Sequence, residues 1–344
     1  GGSTAPPVPA SRPLTNAPMI AAVTQRRIGR PPPIEGSDQP RVARFGVPTG
    51  RYAPSPTGTF HIGNLRTAVA AWLFTRPDDS DLLLRWEDLD TTASAVHEAA
   101  QRADFERLGL RFDGLELRQT DRIEAYREVL ADLSRRDLTY PCWCSRKDIR
   151  DAPAAPHGPP GSYPGTCRDL SRTEIADRER GGRPPATRLR TDHPHVTIVD
   201  RLHGEHSEIV DDFVLERFDG TPAYNLVVVV DDHVQGVGQV VRADDLLAST
   251  PRHAHLHHVL GQPEPEWIHV PLVHDANGDR LAKRDGSAGL ALWLANGRTV
   301  ESLLAQIGRA LGIALSDAAD LGELAAGFDP TAVTTEPAVY DQAT

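Results

Sequence analysis

The sequence predicts an α/β fold built on a doubly wound parallel sheet. Three observations carry that expectation. Leu82-Leu83-Leu84-Arg85-Trp86 is a short apolar run of the kind buried in parallel sheets. Segments with apolar residues at helical spacing flank it. Strand and helix then alternate along the chain, and alternation favours crossover connections and hence parallel strands.

Nine of the first 40 residues are proline, with no hydrophobic periodicity among them, so residues 1–45 are expected to be disordered. Residues 46–137 read as the first half of the sheet domain. Val47 to Ser55 is a strand running into a Pro/Gly loop, and Gly63 to Arg76 sets Leu65, Val69, Trp72 and Leu73 at the spacing of a helix. Ala95 to Leu108 and Ile123 to Leu133 read as further helices. Residues 138–220 change texture, with a cysteine cluster, a Pro/Gly stretch from Pro153 to Pro164, one helix at Arg172 to Arg180, and short strands around Ala186 to Arg190, Val196 to Asp200 and Phe213 to Phe218. They read as an α+β insertion. The second half, residues 221–297, opens on the β-branched run Ala223 to Val230, expected to be a strand. A further strand at Val237 to Val241 follows, then helical segments within Asp244 to Leu260 broken at Pro251. Residues 298–344 read as a short helical segment, with Thr299 as N-cap of a helix reaching Leu311, and a frayed tail.

Composition narrows the function classes. With 39% hydrophobic and 25% charged residues the chain can build a core. No apolar run approaches the roughly 20 residues of a membrane helix, and none is placed like a signal peptide, so a cytoplasmic protein is expected. The three cysteines, all within residues 142–167, are too few and too clustered for a secreted disulfide framework. A net charge of −11 disfavours a nucleic-acid partner taken alone, yet a local basic face can coexist with an acidic total. Arg146, Lys147, Arg150, Arg168 and Arg172 around the cysteines are the expected face. Only two lysines, Lys147 and Lys283, stand against 35 arginines, which marks Lys283 as a place where a compact ammonium is needed.

The chemistry-bearing strings are Arg51-Tyr52-Ala53-Pro54-Ser55-Pro56-Thr57-Gly58, His61-Ile62-Gly63-Asn64 and, near the other end, Arg280-Leu281-Ala282-Lys283-Arg284. The first two place a strand end, a Pro/Gly loop, a histidine and a helix N-terminus in succession, an arrangement that suits a bound polyphosphate. Together the three resemble the signatures of class I aminoacyl-tRNA synthetases of the glutamyl and glutaminyl branch, with Asn64 where the founding signature has a second histidine. The resemblance covers residues 49–312. It implies a Rossmann-type catalytic domain in which ATP, with Mg²⁺ shared by its phosphates, meets His61, Gly63, Asn64 and Lys283. His61 and Lys283 would stabilise the charge on the departing pyrophosphate.

A substrate with two carboxylates and one ammonium wants two cationic forks, one anion and a hydrogen-bonding group. Arg51, Glu87, Tyr224 and Arg242 match the glutamyl branch. By that resemblance Arg51 and Tyr224 read the side-chain carboxylate of L-glutamate, Glu87 its ammonium and Arg242 its α-carboxylate. Tyr52, Ala53, Pro54 and Ser55 line the pocket, and Asp231-Asp232 have no assigned role.

Cys142-Trp143-Cys144 and Cys167 offer three thiolates, and a structural Zn²⁺ site needs a fourth ligand. By ligand type that is His157. Resemblance to the tRNA-modifying members of the glutamyl branch points instead to Tyr163, in Tyr163-Pro164-Gly165-Thr166-Cys167. His253 and His257 have zinc-helix spacing, but no third ligand stands at motif distance, so they are expected to be solvent-facing imidazoles. The 60 residues after Arg284 are too few for an anticodon-binding domain. The resemblance therefore implies a truncated, monomeric, tRNA-modifying enzyme that esterifies glutamate to queuosine at the wobble position of tRNA(Asp). A truncated synthetase charging a tRNA 3′ end, and a non-catalytic glutamate- or nucleotide-binding paralogue, are the alternatives.

Overall fold

The computed structural model describes residues 49–151, 162–274 and 289–339. Residues 1–45, His157 and the Arg280–Arg284 string with Lys283 lie outside the described residues.

The elements run β1 (Thr49–Tyr52), α1 (Ile62–Thr75), β2 (Leu82–Trp86), α2 (Ala95–Leu108), β3 (Leu117–Arg118), α3 (Ile123–Arg135), β4 (Thr139–Cys142), α4 (Arg146–Asp151) and α5 (Arg172–Arg180). Then come β5 (Ala186–Leu189), β6 (His195–Asp200), β7 (Gly204–Ile209), β8 (Val214–Glu216), α6 (Tyr224–Val234), β9 (Val237–Ala243), α7 (Thr250–Val259), β10 (Glu266–Val270) and β11 (Val273–His274). The chain closes with α8 (Leu290–Ala295), α9 (Val300–Ala310), α10 (Leu321–Gly327) and β12 (Ala338–Val339).

A seven-stranded sheet is ordered β3-β2-β1-β9-β10-β6-β7, and every neighbouring pair is parallel except the β6–β7 hairpin. This is the expected doubly wound sheet. The first strands build outward from β1 on one side and the later ones on the other, so the topology switches between β1 and β9. Ligands of open α/β sheets bind in that crevice, outside the carboxyl ends of the strands. β4, β5 and β8 form a separate antiparallel sheet. Strands β6 and β7 fall within residues 138–220 yet extend the main sheet.

Local signals explain most boundaries. Ser94 caps α2 by accepting from the His97 amide at 3.3 Å, and the helix ends at Gly109 in the left-handed region. Reciprocal capping boxes start α5 (Ser171/Glu174), α9 (Thr299/Ser302) and α10 (Asp320/Glu323). No helix among the described residues is long and apolar enough to cross a membrane.

Two expectations are corrected. The run Ala223 to Val230 is helix α6, not a strand: Leu226 to Asp232 are all buried, and a helix buried all round shows no polar stripe to betray its period. Parallel β9 also requires a crossover before it, which α6 supplies through the two residues Gln235-Gly236. The break expected at Pro251 is present: a 3-10 segment over Asp244–Ser249 ends there and α7 begins, with Pro251 in its first turn, where its missing N–H costs nothing. The end of the chain is packed as far as Val339: Leu324 and Val333 are buried in the main core, and β12 pairs with β11.

Gly312 shows how tightly that end is held. Its φ is +83°, and a Cβ there would stand 2.6 Å from the carbonyl oxygen of Ala332. Gly312→Ala should lower unfolding free energy by about 2 kcal/mol or more. Urea denaturation reads this as a lower midpoint at unchanged slope, and an unmoved midpoint would contradict the packing.

Candidate active site

The loop between β1 and α1 is pinned from several directions. The buried Gln101 amide of α2 donates to the carbonyls of Ser55 (3.1 Å) and Gly58 (2.8 Å), and the Glu87 amide donates to Pro54 O at 2.9 Å. His61 is the last extended residue before α1, and Asn64 Oδ1 accepts from its amide at 3.2 Å. A Cβ on Gly63 would come within 2.9 Å of the His61 ring, so the glycine leaves the space in which the imidazole sits. His61, Gly63, Asn64 and Thr67 line a cavity of about 70 Å³ with Ala243 and Pro271 to Val273. The segment that contains Lys283 follows β11, whose Val273 forms part of this wall.

Beside it lies a cavity of about 300 Å³ lined by Arg51, Tyr52, Ala53, Pro54, Ser55, Glu87, Tyr224 and Arg242, together with Phe60, Asn64, Thr67 and Asp245. All eight residues expected around glutamate thus face one space at the topological switch. Arg51 comes from β1, Arg242 from β9, Glu87 follows β2 and Tyr224 opens α6.

The floor of the cavity is ionic and buried. Arg51 and Arg85 both reach Asp232 of α6, at 3.3 and 2.7 Å, and Arg51 Nη1 also donates to Val241 O at 3.1 Å. Burial pushes the Asp232 carboxyl up, but Arg85 and Arg51 overcome it and hold the group below its ordinary range. Asp231 accepts from Arg122 Nε (2.7 Å), the Tyr126 hydroxyl (2.7 Å) and Gln119 Nε2 (3.2 Å). Glu87 is set differently. Burial drives its carboxyl up to about 7, with Arg85 and Arg51 pulling only part of the way back.

Sequence reasoning missed several of these residues. Asp231 and Asp232 carried no role there, and Arg85 was only part of an apolar run. His253 and His257 were expected at the surface but are 1% and 2% exposed, because α7 packs its imidazoles toward Trp267 of β10. His269 lies on β10, a strand whose Trp267-Ile268-His269-Val270 run was a legible apolar signal. Of the expected basic face, Arg146, Lys147, Arg150 and Arg172 are exposed. Arg168 is not available: it pairs with the fully buried Asp212 at 2.6 Å.

A second cluster stands at the end of β4. The sulfurs of Cys142, Cys144 and Cys167 lie within 4.8 Å of one another, and Cys144 and Cys167 are 3.6 Å apart. Sulfurs around one tetrahedral zinc are separated by about 3.8 Å, so the trio fits a metal ion. The Tyr163 hydroxyl joins it, 3.4 Å from Cys142 Sγ and 3.9 Å from Cys144 Sγ. Arg188 stacks over the Tyr163 ring at 3.7 Å, and Asp211 accepts from the Tyr163 amide at 2.9 Å.

Residues 47–323 match the family model of tRNA synthetases class I (E and Q), catalytic domain, and the chain belongs to that family. Among curated relatives it is 50% identical over 288 residues to a glutamyl-Q tRNA(Asp) synthetase of Nocardia farcinica, covering 84% of this chain and 91% of that one. A glutamate–tRNA ligase of Geobacter sulfurreducens is 38% identical over 261 residues, 74% of this chain and 55% of the ligase. The fold matches a glutamate tRNA ligase from Elizabethkingia meningosepticum, solved with its amino acid, at a TM-score of 0.71 and 24% identity over 84% of this chain and 66% of that one.

The buried ion cluster sets a stability prediction. Asp232→Ala strands Arg51 and Arg85 without their shared carboxylate and should cost roughly 3–5 kcal/mol. Chemical denaturation measures the loss, and a change below 1 kcal/mol would show that the cluster does not hold α6 to the sheet.

Proposed function

We propose that this protein activates L-glutamate with ATP, without needing tRNA, and transfers the glutamyl group to queuosine at the wobble position of tRNA(Asp). The carrying observation is the closer likeness to a glutamyl-Q tRNA(Asp) synthetase, 50% identical across nearly its whole length, than to a glutamate–tRNA ligase at 38%. The cavity supports the amino acid. Arg51 with Tyr224 takes the side-chain carboxylate, Arg242 the α-carboxylate and Glu87 the ammonium, one group of opposite charge for each charge of glutamate.

In the first step an oxygen of the α-carboxylate attacks the α-phosphorus of ATP. The P–O bond to pyrophosphate breaks, and negative charge builds on the leaving group. Gly63 and Asn64 form the helix start that faces the phosphates, and His61 and Lys283 answer the developing charge, with Mg²⁺ carried by the phosphates. In the second step a hydroxyl of the queuosine cyclopentene ring attacks the activated carbonyl and AMP leaves. The protein contributes positioning and electrostatics. Cys142, Cys144, Cys167 and Tyr163 would hold one structural zinc ion, and metal binding there would lend folding energy to the end of β4 and the loop before α5.

Transfer of labelled glutamate should occur to tRNA(Asp) carrying queuosine and not to the unmodified tRNA; equal labelling of both would sink the proposal. ATP–pyrophosphate exchange should need glutamate alone, and strict dependence on tRNA would favour the 3′-end-charging alternative. Lys283→Ala should cut that exchange by about 100-fold or more.

The state of Glu87 adds a pH dependence. Its carboxyl must be ionised to take the ammonium, and burial raises it to about 7, above its ordinary 4.5. The KM for glutamate in exchange should therefore be flat above pH 8 and climb as pH falls below about 7. A KM constant from pH 8 to 6 would remove Glu87 from this role. Metal analysis should return about one zinc per chain, dropping on Cys144→Ser together with a lower melting temperature.

A further inference from the structure

Arg51 and Arg242 are equally buried, yet they are held by opposite kinds of partner. Arg51 shares a carboxylate, Asp232. Arg242 donates from Nε to His269 Nε2 at 3.0 Å, from Nη1 to His253 Nδ1 at 3.1 Å and the Tyr224 hydroxyl at 3.3 Å, and from Nη2 to the Thr250 hydroxyl at 2.8 Å. None of these is a carboxylate.

A guanidinium carries only donors, so both imidazoles must offer it a lone pair. Each is then neutral, with its proton on the other nitrogen. For His253 that proton meets Asn225 Oδ1 at 2.9 Å; for His269 it meets Asp200 Oδ2 at 2.6 Å. Asp200 ends β6 and pairs in register with Trp267 of β10, which sets its carboxylate against the His269 side chain and amide. It also accepts the amides of Leu202 and His203 at 2.9 and 3.0 Å, four donors in all, as suits an ionised carboxylate. Burial holds His269 and His253 below the usual imidazole range, in agreement with two neutral rings.

We propose that Asp200 and His269 are positioning residues for Arg242. They fix its guanidinium through a neutral acceptor, so that its charge stays uncompensated until a substrate carboxylate arrives. Asp200 acts one bond further out, by choosing the tautomer that leaves Nε2 as acceptor. The inference rests on the reading of Arg242 as the ligand of the α-carboxylate.

Three variants assayed by ATP–pyrophosphate exchange test it. His269→Leu removes the acceptor and should raise the KM for glutamate by about tenfold or more, the scale of a lost hydrogen bond to a charged group. The KM for ATP and kcat should move less than about threefold. His269→Gln keeps a carbonyl for Arg242 and an N–H for Asp200 and should restore most of the affinity. Asp200→Asn sets donors against donors and should resemble His269→Leu. Thermal unfolding shows whether each variant is folded. The proposal is overturned if His269→Leu leaves the glutamate KM within about twofold, or if glutamine substitutes no better than leucine. An Arg242→Lys variant with an unchanged glutamate KM would instead defeat the reading of Arg242 and carry the inference down with it.

Discussion

The carboxylate of Asp232 is the point on which the rest of the pocket depends. It lies on α6, is almost fully buried, and faces Arg51 of β1 and Arg85 of β2. Charges removed from water persist only when paired and hydrogen-bonded. The fold therefore keeps α6 against the two strands, or else exposes three charges to one another without compensation. Asp231, one residue earlier, makes the matching attachment to Arg122 and Tyr126 at the start of α3. Two adjacent acids thus join a helix to two strands on one side and to a second helix on the other, and Tyr224, the first residue of the same helix, is carried into the cavity.

The two arginines of the cavity divide its electrostatics. Arg51 is already half-answered by an acid, and burial lowers its hold on its own proton. The hydrogen-bond partners of Arg242 are all neutral. A ligand carboxylate approaching Arg51 joins an existing cluster, whereas one approaching Arg242 supplies the missing opposite charge. On the proposed assignment glutamate offers both, and the difference would give its two ends different neighbours without any difference in the residue type that receives them.

How much of this was legible depends on the kind of signal. The Arg51–Gly58 and His61–Asn64 strings were readable because a strand end, glycines and a helix start are sequential, and the structure brings Arg51, Glu87, Tyr224 and Arg242 to one cavity. Helices α2 and α5 stand where they were expected, and Ser94, Gly109, Ser171 and Glu174 are the residues whose local chemistry marks their ends in the structure. Helix α6 was not expected, since a Val-rich run buried on all sides carries no period. Asp200, Asp232, His253 and His269 were hidden for a different reason. Polar residues read as surface from sequence, and only long-range pairing, such as that across the 69 positions between Asp200 and His269, makes their burial tolerable.

The two-residue strand β12 has a reach beyond its size. It pairs with β11 through Val273↔Ala338 and His274↔Val339, and the Ala338 amide donates to Leu272 O at 3.1 Å. Leu272 and Val273 wall the small cavity beside His61. The stretch bearing Lys283 departs from β11, so its near anchorage is shared with a segment more than sixty positions further along the chain. Cutting the chain before Ala338, or fusing a bulky tag there, would be felt first at the wall of the cavity beside His61, far in sequence from the cut.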